Sequence, residues 1–136
     1  MAAGNYSFTI EQGSTTDFEI VYKDSNGDPI DLTGYNARMQ LKDSIGGSST
    51  FLTLSSSLSP DGTGLNLSGS GGLNASKPTT SGSIGIFIGY VSSSNLSFSS
   101  AVYDLELVSG SGNAAVVTRL LQGKVNLSKE VTTGDY

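Results

Sequence analysis

Hydrophobic and polar residues alternate along most of the chain. Tyr6, Phe8 and Ile10 form one such run, and Ile84, Ile86 and Ile88 form another. Because successive side chains of a strand point to opposite faces, each run places one apolar row on one side of a sheet. The alternation predicts seven or eight strands, over residues 5–11, 16–23, 35–42, 50–55, 63–68, 82–91, 102–108 and 115–128.

The same pattern leaves little room for helix. No window carries apolar residues at helical spacing over two or more turns, so we expect at most one helical turn, within Asn95–Ala101. Dipeptides such as Asn26-Gly27 and Asp61-Gly62 favour turns between the strands. Short strands separated by turn signals predict a β-sandwich or a small barrel.

The last two strands allow a more detailed prediction. A short loop of Ser and Gly joins strands 102–108 and 115–122, so we expect them to pair as an antiparallel hairpin. If Asp104 falls opposite Arg119, their side chains meet on the outward face. Gly123 lies inside the final strand and predicts a bulge or bend there.

Residues 55–83 differ from the rest in being rich in Ser and Gly. Their apolar anchors would be Leu58, Leu65, Leu67 and Leu73. We interpret the segment as a poorly packed hairpin between two strands, with a functional loop as the alternative. No stretch separates two apolar cores, so we expect residues 1–136 to form a single domain.

Composition excludes several classes of function. The chain has no His and no Cys, so Ser-His-Asp, Cys-His and zinc–thiolate sites cannot form. Its net charge of -5 is dispersed, with no basic stripe for nucleic acid. Residues 1–4 do not look like a signal peptide, and the longest apolar stretch, Ile84–Val91, is too short to cross a bilayer.

Two pairs of carboxylates are the remaining candidates for hydrolytic chemistry. Asp17 and Glu19, and likewise Asp104 and Glu106, lie two residues apart on a predicted strand. This spacing places both members of a pair on one face, about 7 Å apart. A solvated strand face produces the same spacing, so we expect no enzyme and assign no catalytic residue.

The segment Asp24–Asp28 begins like a calcium-binding loop. A helix-loop-helix calcium site needs Gly at its sixth position and Glu at its twelfth. Pro29 and Tyr35 occupy those positions here. The segment also lies between two predicted strands, so it predicts a hairpin turn, and we expect no metal and no cofactor.

A carbohydrate-binding module is the main alternative among binding proteins, since many such modules are β-sandwiches. Sugar platforms present exposed aromatic rings, but this chain has no Trp. Only Tyr35 and Tyr136 fall outside the apolar rows of the predicted strands. Two tyrosines give this alternative little support.

Three stretches of sequence carry a resemblance to a known family. They are Phe8–Gly13 with Asp17-Phe18 and Tyr22–Gln40, then Gly82–Ile86, and then Tyr103–Leu107 with Arg119–Val125 and Glu130–Thr132. In this order they resemble small structural proteins of tailed bacteriophages, especially those infecting marine cyanobacteria. They also resemble the N-terminal domain of baseplate upper proteins in phages of lactic acid bacteria.

The resemblance implies an immunoglobulin-like antiparallel β-sandwich of about seven or eight strands, with no active site. It implies a structural virion protein, an adaptor in the tail, baseplate or neck that contacts other virion proteins. We expect multiple copies in a symmetric assembly, located in the virion and assembled in the host cytoplasm. A capsid decoration protein and a host-surface glycan-binding module are the alternatives. We expect no nucleic acid, membrane or small-molecule partner.

Both ends of the chain are candidate docking elements. The run Asn5–Ile10 has no charge and no Pro, and Val125–Val131 holds only Lys129 and Glu130. Proteins that do not assemble usually protect their edge strands with charged residues or Pro. We expect a terminal strand, or the tail Thr132–Tyr136, to dock on another virion protein by strand addition. The competing hypothesis is that both ends pair within the domain and that loops such as 55–83 make the contacts.

Overall fold

Two β-sheets pack face to face in the computed structural model, which describes residues 4–69 and 71–132. One helical turn, α1 (Tyr90–Ser94), and three 3₁₀ turns (Gly72–Asn74, Thr79–Ser81 and Gly112–Ala114) connect the strands. The strands are β1 (Gly4–Asn5), β2 (Phe8–Glu11), β3 (Thr16–Val21), β4 (Tyr35–Lys42), β5 (Thr50–Ser55), β6 (Gly64–Asn66), β7 (Ser83–Ile88), β8 (Ser100–Ser109) and β9 (Val116–Ser128).

The strand order is that of an immunoglobulin-like sandwich. The larger sheet has the order β1-β9-β8-β4-β5, with β2 also paired to β9, and the smaller sheet has the order β3-β7-β6. Strands β9, β8, β4 and β5 correspond to G, F, C and C′ of a variable-type domain, and β3, β7 and β6 to B, E and D. The predicted fold is confirmed.

Two pairings depart from the predicted antiparallel arrangement. β1 and β2 run parallel to β9, from Gly4 beside Leu121 to Glu11 beside Ser128. The turn after β2 carries the chain across to the smaller sheet, so β2 does not fold back on β3 as a hairpin. The other pairings between described strands are antiparallel.

The core lies between the sheets and consists of the inward-facing rows that the alternation predicts. Burying one such Leu or Ile side chain contributes roughly 1.5–3 kcal/mol relative to leaving it exposed. The central rows are Ala37, Met39 and Leu41 on β4, Ala101, Tyr103, Leu105 and Leu107 on β8, and Ile84, Ile86 and Ile88 on β7.

Some predicted boundaries are wrong. The first predicted strand, 5–11, is interrupted at residues 6 and 7, which separates β1 from β2. The strand predicted to run to residue 91 ends at Ile88, because Gly89 leads the chain into α1. The single α-helical turn among the described residues is therefore Tyr90–Ser94 and does not lie within 95–101.

The irregularity predicted at Gly123 lies earlier in β9. One extra residue, Leu120, is inserted between the positions paired with Leu105 and Glu106. This bulge lets Leu120 and Leu121 both pack against the core, which strict alternation would forbid.

Gly123 instead makes room for the N-terminal chain. It lies opposite Tyr103 of β8, and a Cβ at position 123 would overlap the carbonyl oxygen of Tyr6. That carbonyl accepts a hydrogen bond of 2.6 Å from Tyr103 Oη. The interruption between β1 and β2 is thus the point where the backbone approaches Gly123 closely.

The interpretation of residues 55–83 as a poorly packed hairpin is wrong. Leu65 of β6 is fully buried, whereas Leu73, a predicted anchor, is 62% exposed. After β6 the chain folds over the outer face of the smaller sheet. Gly62 and Gly72 lie against the ring of Phe87, a β7 residue that points away from the core. We call residues 69–77, of which residue 70 lies outside the described residues, the covering segment.

Candidate interaction surface

The outer face of the larger sheet forms a groove that no described segment covers. Residues of β4, β5, β8 and β9 line it, and the turn between β4 and β5 contributes Ser44, Ile45 and Gly46. Its volume is about 710 Å³, which lies within the range of known ligand sites. The groove therefore lies on the outer face of a single sheet.

The groove contains a row of opposite charges. Glu106 on β8 lies between Arg38 on β4 and Arg119 on β9. Arg38 Nε donates to Glu106 Oε1 at 2.7 Å, and Arg119 Nε lies 3.4 Å from Asp104 Oδ2. The predicted contact between Asp104 and Arg119 is therefore present, but it is diagonal. The two residues are not directly opposite each other, because Asp104 pairs with Gln122 and Arg119 pairs with Glu106.

Two further cations lie beside this row. Lys42 and Lys124 are the cross-strand neighbours of Val102, one on each side. Two strand spacings put their Cα atoms about 10 Å apart. Neither lysine forms an ion pair with a described carboxylate, in contrast to the two arginines.

The groove is basic although the protein is acidic. Four of the seven Lys and Arg residues line it, but only two of the twelve Asp and Glu residues do. The groove thus carries a formal charge of +2, which leaves -7 for the remainder of a chain whose net charge is -5. Sequence analysis missed this because strands far apart in the chain bring the cations together.

The carboxylates considered for hydrolytic chemistry lie on two different faces. Asp104 and Glu106 contact arginines in the groove. Asp17 and Glu19 lie on the outer face of the smaller sheet, against the covering segment. There the Gly71 N–H donates to Asp17 Oδ1 at 3.2 Å, and Lys77 Nζ donates to Glu19 Oε1 at 2.6 Å. Each of the four carboxylates therefore has a structural contact.

Residues Asp24–Asp28 form a turn, as predicted. Asp24 Oδ1 accepts hydrogen bonds from the N–H groups of Asn26 and Asp28, at 2.9 and 3.0 Å. Gly27 adopts φ +83°, the left-handed conformation that Gly tolerates. Residues 23–29 are all exposed, and 23 pairs with 29 at the base. We call residues 23–31 the acidic hairpin.

The acidic hairpin ends at Asp31, whose carboxylate is held by Thr33. Asp31 Oδ1 accepts from the Thr33 N–H at 2.9 Å. Hydrogen bonds from the side chain and backbone of Thr33 lower the pKa of Asp31. Within 4–69 and 71–132, no three His, Cys, Asp or Glu residues are grouped to hold a metal ion.

Exposed aromatic residues do not share one described surface. Tyr35 packs partly buried against the core, and Tyr136 lies outside the described residues. Tyr6, Phe51 and Tyr90 are the most exposed aromatic side chains of the described part. Tyr6 lies between β1 and β2, Phe51 lies on β5 and Tyr90 lies in α1. The groove is lined by charged and amide side chains together with Met39, Ile45 and Val102, and Tyr103 is its one aromatic residue among those described.

The C-terminal run is not the edge strand that the sequence predicted. Val125 and Asn126 of β9 pair with β8 on one side and with β2 on the other, and Leu127 and Ser128 pair with β2. The N-terminal strands do form an edge of the larger sheet, beyond β9. Of the predicted docking tail, residues 133–136 lie outside the described residues.

Tyr103 holds the N-terminal edge in place. Besides its hydrogen bond to Tyr6, its ring packs edge-on against Phe8, with centroids 5.3 Å apart. Phe8 in turn contacts Phe18 of β3, at 5.0 Å. Burial, and then the neighbouring Tyr6 hydroxyl, raise the pKa of Tyr103 to about 12.

A second polar cluster lies beside α1 and is satisfied internally. Asp61 Oδ2 accepts from Ser92 Oγ at 2.9 Å, and Asp61 Oδ1 accepts from the Thr63 N–H at 3.1 Å. Burial raises the pKa of Asp61, but hydrogen bonds from Thr63 and Ser92 outweigh that effect and lower it overall. The cluster ties the loop before β6 to α1 and offers no free group to a ligand.

Comparison with known proteins does not assign the chain to a family. No protein-family model matches the chain, and no curated protein sequence matches it significantly. Among the described residues, no helix is both long and apolar enough to cross a membrane. The resemblance to phage proteins therefore rests on the three sequence stretches alone.

Proposed function

We propose that the chain is a structural component of a tailed-bacteriophage virion, an adaptor in the tail, baseplate or neck. It acts through contacts with other virion proteins, in multiple copies, and is assembled in the host cytoplasm. The sequence resemblance supports the class of particle. The observation that carries an assembly role is the uncovered, charged face of the larger sheet, bounded by strand edges.

Both edges of that sheet are open to pairing. β5 pairs with β4 alone among the described strands, and its residues Thr50–Ser55 include no charge and no Pro. β2 likewise pairs with β9 alone. Free N–H and C=O groups along such strands invite strand addition by another chain. Of the predicted docking elements, the N-terminal strand is the one this arrangement supports.

Two alternatives differ in what they would require of the surface. A capsid decoration protein would use the same faces and edges, at a different location in the particle. A glycan-binding module would need clustered exposed rings, and the exposed rings of Tyr6, Phe51 and Tyr90 lie in separate parts of the fold. The geometry therefore supports protein contacts better than sugar contacts.

The test is to find the chain in an intact particle. Particles purified from cells that produce the protein should contain it in many copies, measured by quantitative mass spectrometry. Electron cryo-microscopy should then place its density in the tail, baseplate or neck. An abundant protein that stays in the lysate and is absent from particles would contradict the proposal, and density on the capsid would favour the decoration role.

A further inference from the structure

The basic groove and the acidic hairpin have complementary charge and shape. We propose that the acidic hairpin of one copy docks in the groove of a second copy, so that copies associate head to tail. This inference rests on the proposed assembly role and names one of its partners. The association of copies is measured on purified protein. A negative result there would not contradict incorporation of the protein into particles.

The charges of the two surfaces match in size. The groove carries a formal +2, and the hairpin, with Lys23 against Asp24, Asp28 and Asp31, carries -2. Opposite potentials of this kind steer association and fix its register. Arg38 and Arg119 already have carboxylate partners, which leaves the two lysines to receive the hairpin.

The spacing of the groups also fits. Asp24 and Asp28 face each other across the hairpin, where the Asp24 N–H donates to the Asp28 carbonyl at 2.9 Å. A two-stranded ribbon is about 5 Å wide between backbones, and Lys42 and Lys124 are about 10 Å apart across Val102. The ribbon can therefore lie over Val102 with one carboxylate toward each ammonium group.

A single chain cannot make this contact with itself. The hairpin emerges from the smaller sheet, where Tyr22 bonds to Gly82, whereas the groove is on the outer face of the larger sheet. In the head-to-tail arrangement the contact is heterologous, since each copy docks its hairpin on one neighbour and receives the hairpin of another. Such contacts generate rings when the rotation closes and filaments when it does not.

Association should be visible in the purified full chain at low salt. We expect concentration-dependent oligomers in sedimentation velocity at about 20 mM salt, where screening is weak, and monomers at about 1 M salt. A protein that stays monomeric at both salt concentrations, at hundreds of micromolar, would overturn the proposal.

A matched pair of substitutions tests the groove. Lys124→Glu reverses a groove cation, and Lys129→Glu makes the same change of charge at an exposed residue just after β9. We expect the first to weaken association on the order of tenfold and the second to change it little. Equal weakening by both would show that only the net charge of the protein matters, and it would overturn the proposed docking in the groove.

A second matched pair of substitutions tests the hairpin, this time by replacing acidic residues with Lys. Asp28→Lys and Glu11→Lys both bring the net charge from -5 to -3, so general repulsion between copies falls equally. We nevertheless expect Asp28→Lys to weaken association about tenfold, because it removes a groove ligand, while Glu11→Lys leaves or strengthens it. If Asp28→Lys strengthens association as much as Glu11→Lys does, the hairpin is not the docking element.

Mixing the two defective variants tests whether the hairpin of one copy docks in the groove of another. The intact hairpin of the Lys124→Glu protein faces the intact groove of the Asp28→Lys protein. We expect the mixture to associate where each variant alone does not. A mixture that remains monomeric would overturn the head-to-tail arrangement.

Discussion

The two outer faces of the sandwich contrast sharply. The larger sheet presents Asp104 and Glu106 on its central strand β8, and no described segment covers them. The smaller sheet presents Gly85 and Phe87 on its central strand β7, and Gly72 of the covering segment lies against the Phe87 ring. Gly has no side chain, so an outward Phe beside it would expose its apolar ring to water unless another segment covers it. The residue types on the central strand thus decide which face stays open to partners.

The contrast extends to the roles of the ion pairs. On the smaller sheet, the Glu19–Lys77 pair and the Asp17 contact attach the covering segment. On the larger sheet, the arginine pairs lie within the sheet and attach no loop. Charged groups hold the covering segment on the outer face of the smaller sheet, whereas those on the larger sheet hold no segment over it. The candidate interaction surface is therefore the outer face of the larger sheet.

The largest expected effect separates the inner and outer rows of β8. Leu105 is fully buried between the sheets, so Leu105→Ala should lower the free energy of unfolding by roughly 2–5 kcal/mol. Its neighbour Asp104 faces the groove, and Asp104→Asn should cost at most about 1 kcal/mol. Urea unfolding of both variants measures the difference. Equal losses would mean that the two faces are assigned wrongly.

The second prediction tests the covered face against the open one. Phe87→Ala should cost roughly 2 kcal/mol, because the ring is packed by Gly62 and Gly72 although it points away from the core. Val102→Ala, at an outward position on the central strand of the larger sheet, should cost less than about 1 kcal/mol. Thermal or urea unfolding gives both values. A negligible loss for Phe87→Ala would show that the covering segment does not pack there.

Local sequence pattern predicts the inward rows but not what covers a face. Alternation gives the buried positions of β4 and β8 because strand period is a local property. The covering segment depends on glycines with positive φ, such as Gly72 at +60°, placed against a ring distant in sequence. That combination leaves no periodic signal. The adjacent Leu120-Leu121 between polar neighbours was the available clue to the bulge.

The register of the strands and the choice of strand partners were also not predictable from the sequence. The Arg38–Glu106 pair joins residues far apart in the chain, and only the alignment of β4 with β8 brings them together. The parallel pairing of β2 with β9 is likewise set by the crossover to the smaller sheet. The turn at Asp24–Asp28 was predictable, because the Asp, Asn and Gly that form it are neighbours in sequence.

A third prediction concerns the edge of the open face. Tyr103→Phe removes the hydrogen bond to the Tyr6 carbonyl and should cost about 1 kcal/mol near neutral pH. The pKa of Tyr103 is raised to about 12 in the folded protein, above the ordinary value of 10.0. Between these values the unfolded chain loses the proton first, so wild-type stability should fall as pH rises from 10 to 12.

The Tyr103→Phe variant lacks that ionisation and is the control for it. The stability difference between the two proteins should therefore shrink across this pH interval, as measured by urea unfolding at several pH values. A difference that stays constant would contradict the burial of the Tyr103 hydroxyl.

The smallest expected effect tests whether the larger face is open to solvent. The side chains of Arg38 and Glu106 are 57% and 21% exposed, so a double-mutant cycle with Arg38→Met and Glu106→Gln should give a coupling of about 0.2–1 kcal/mol. The longer Arg119–Asp104 pair, at 3.4 Å and more exposed overall, should couple less. At about 1 M salt the screening length falls to about 3 Å, and an exposed pair should then lose most of its coupling. A coupling that persists undiminished at that salt concentration would mean that water does not reach the pair, and the distinction between an open and a covered face would then fail.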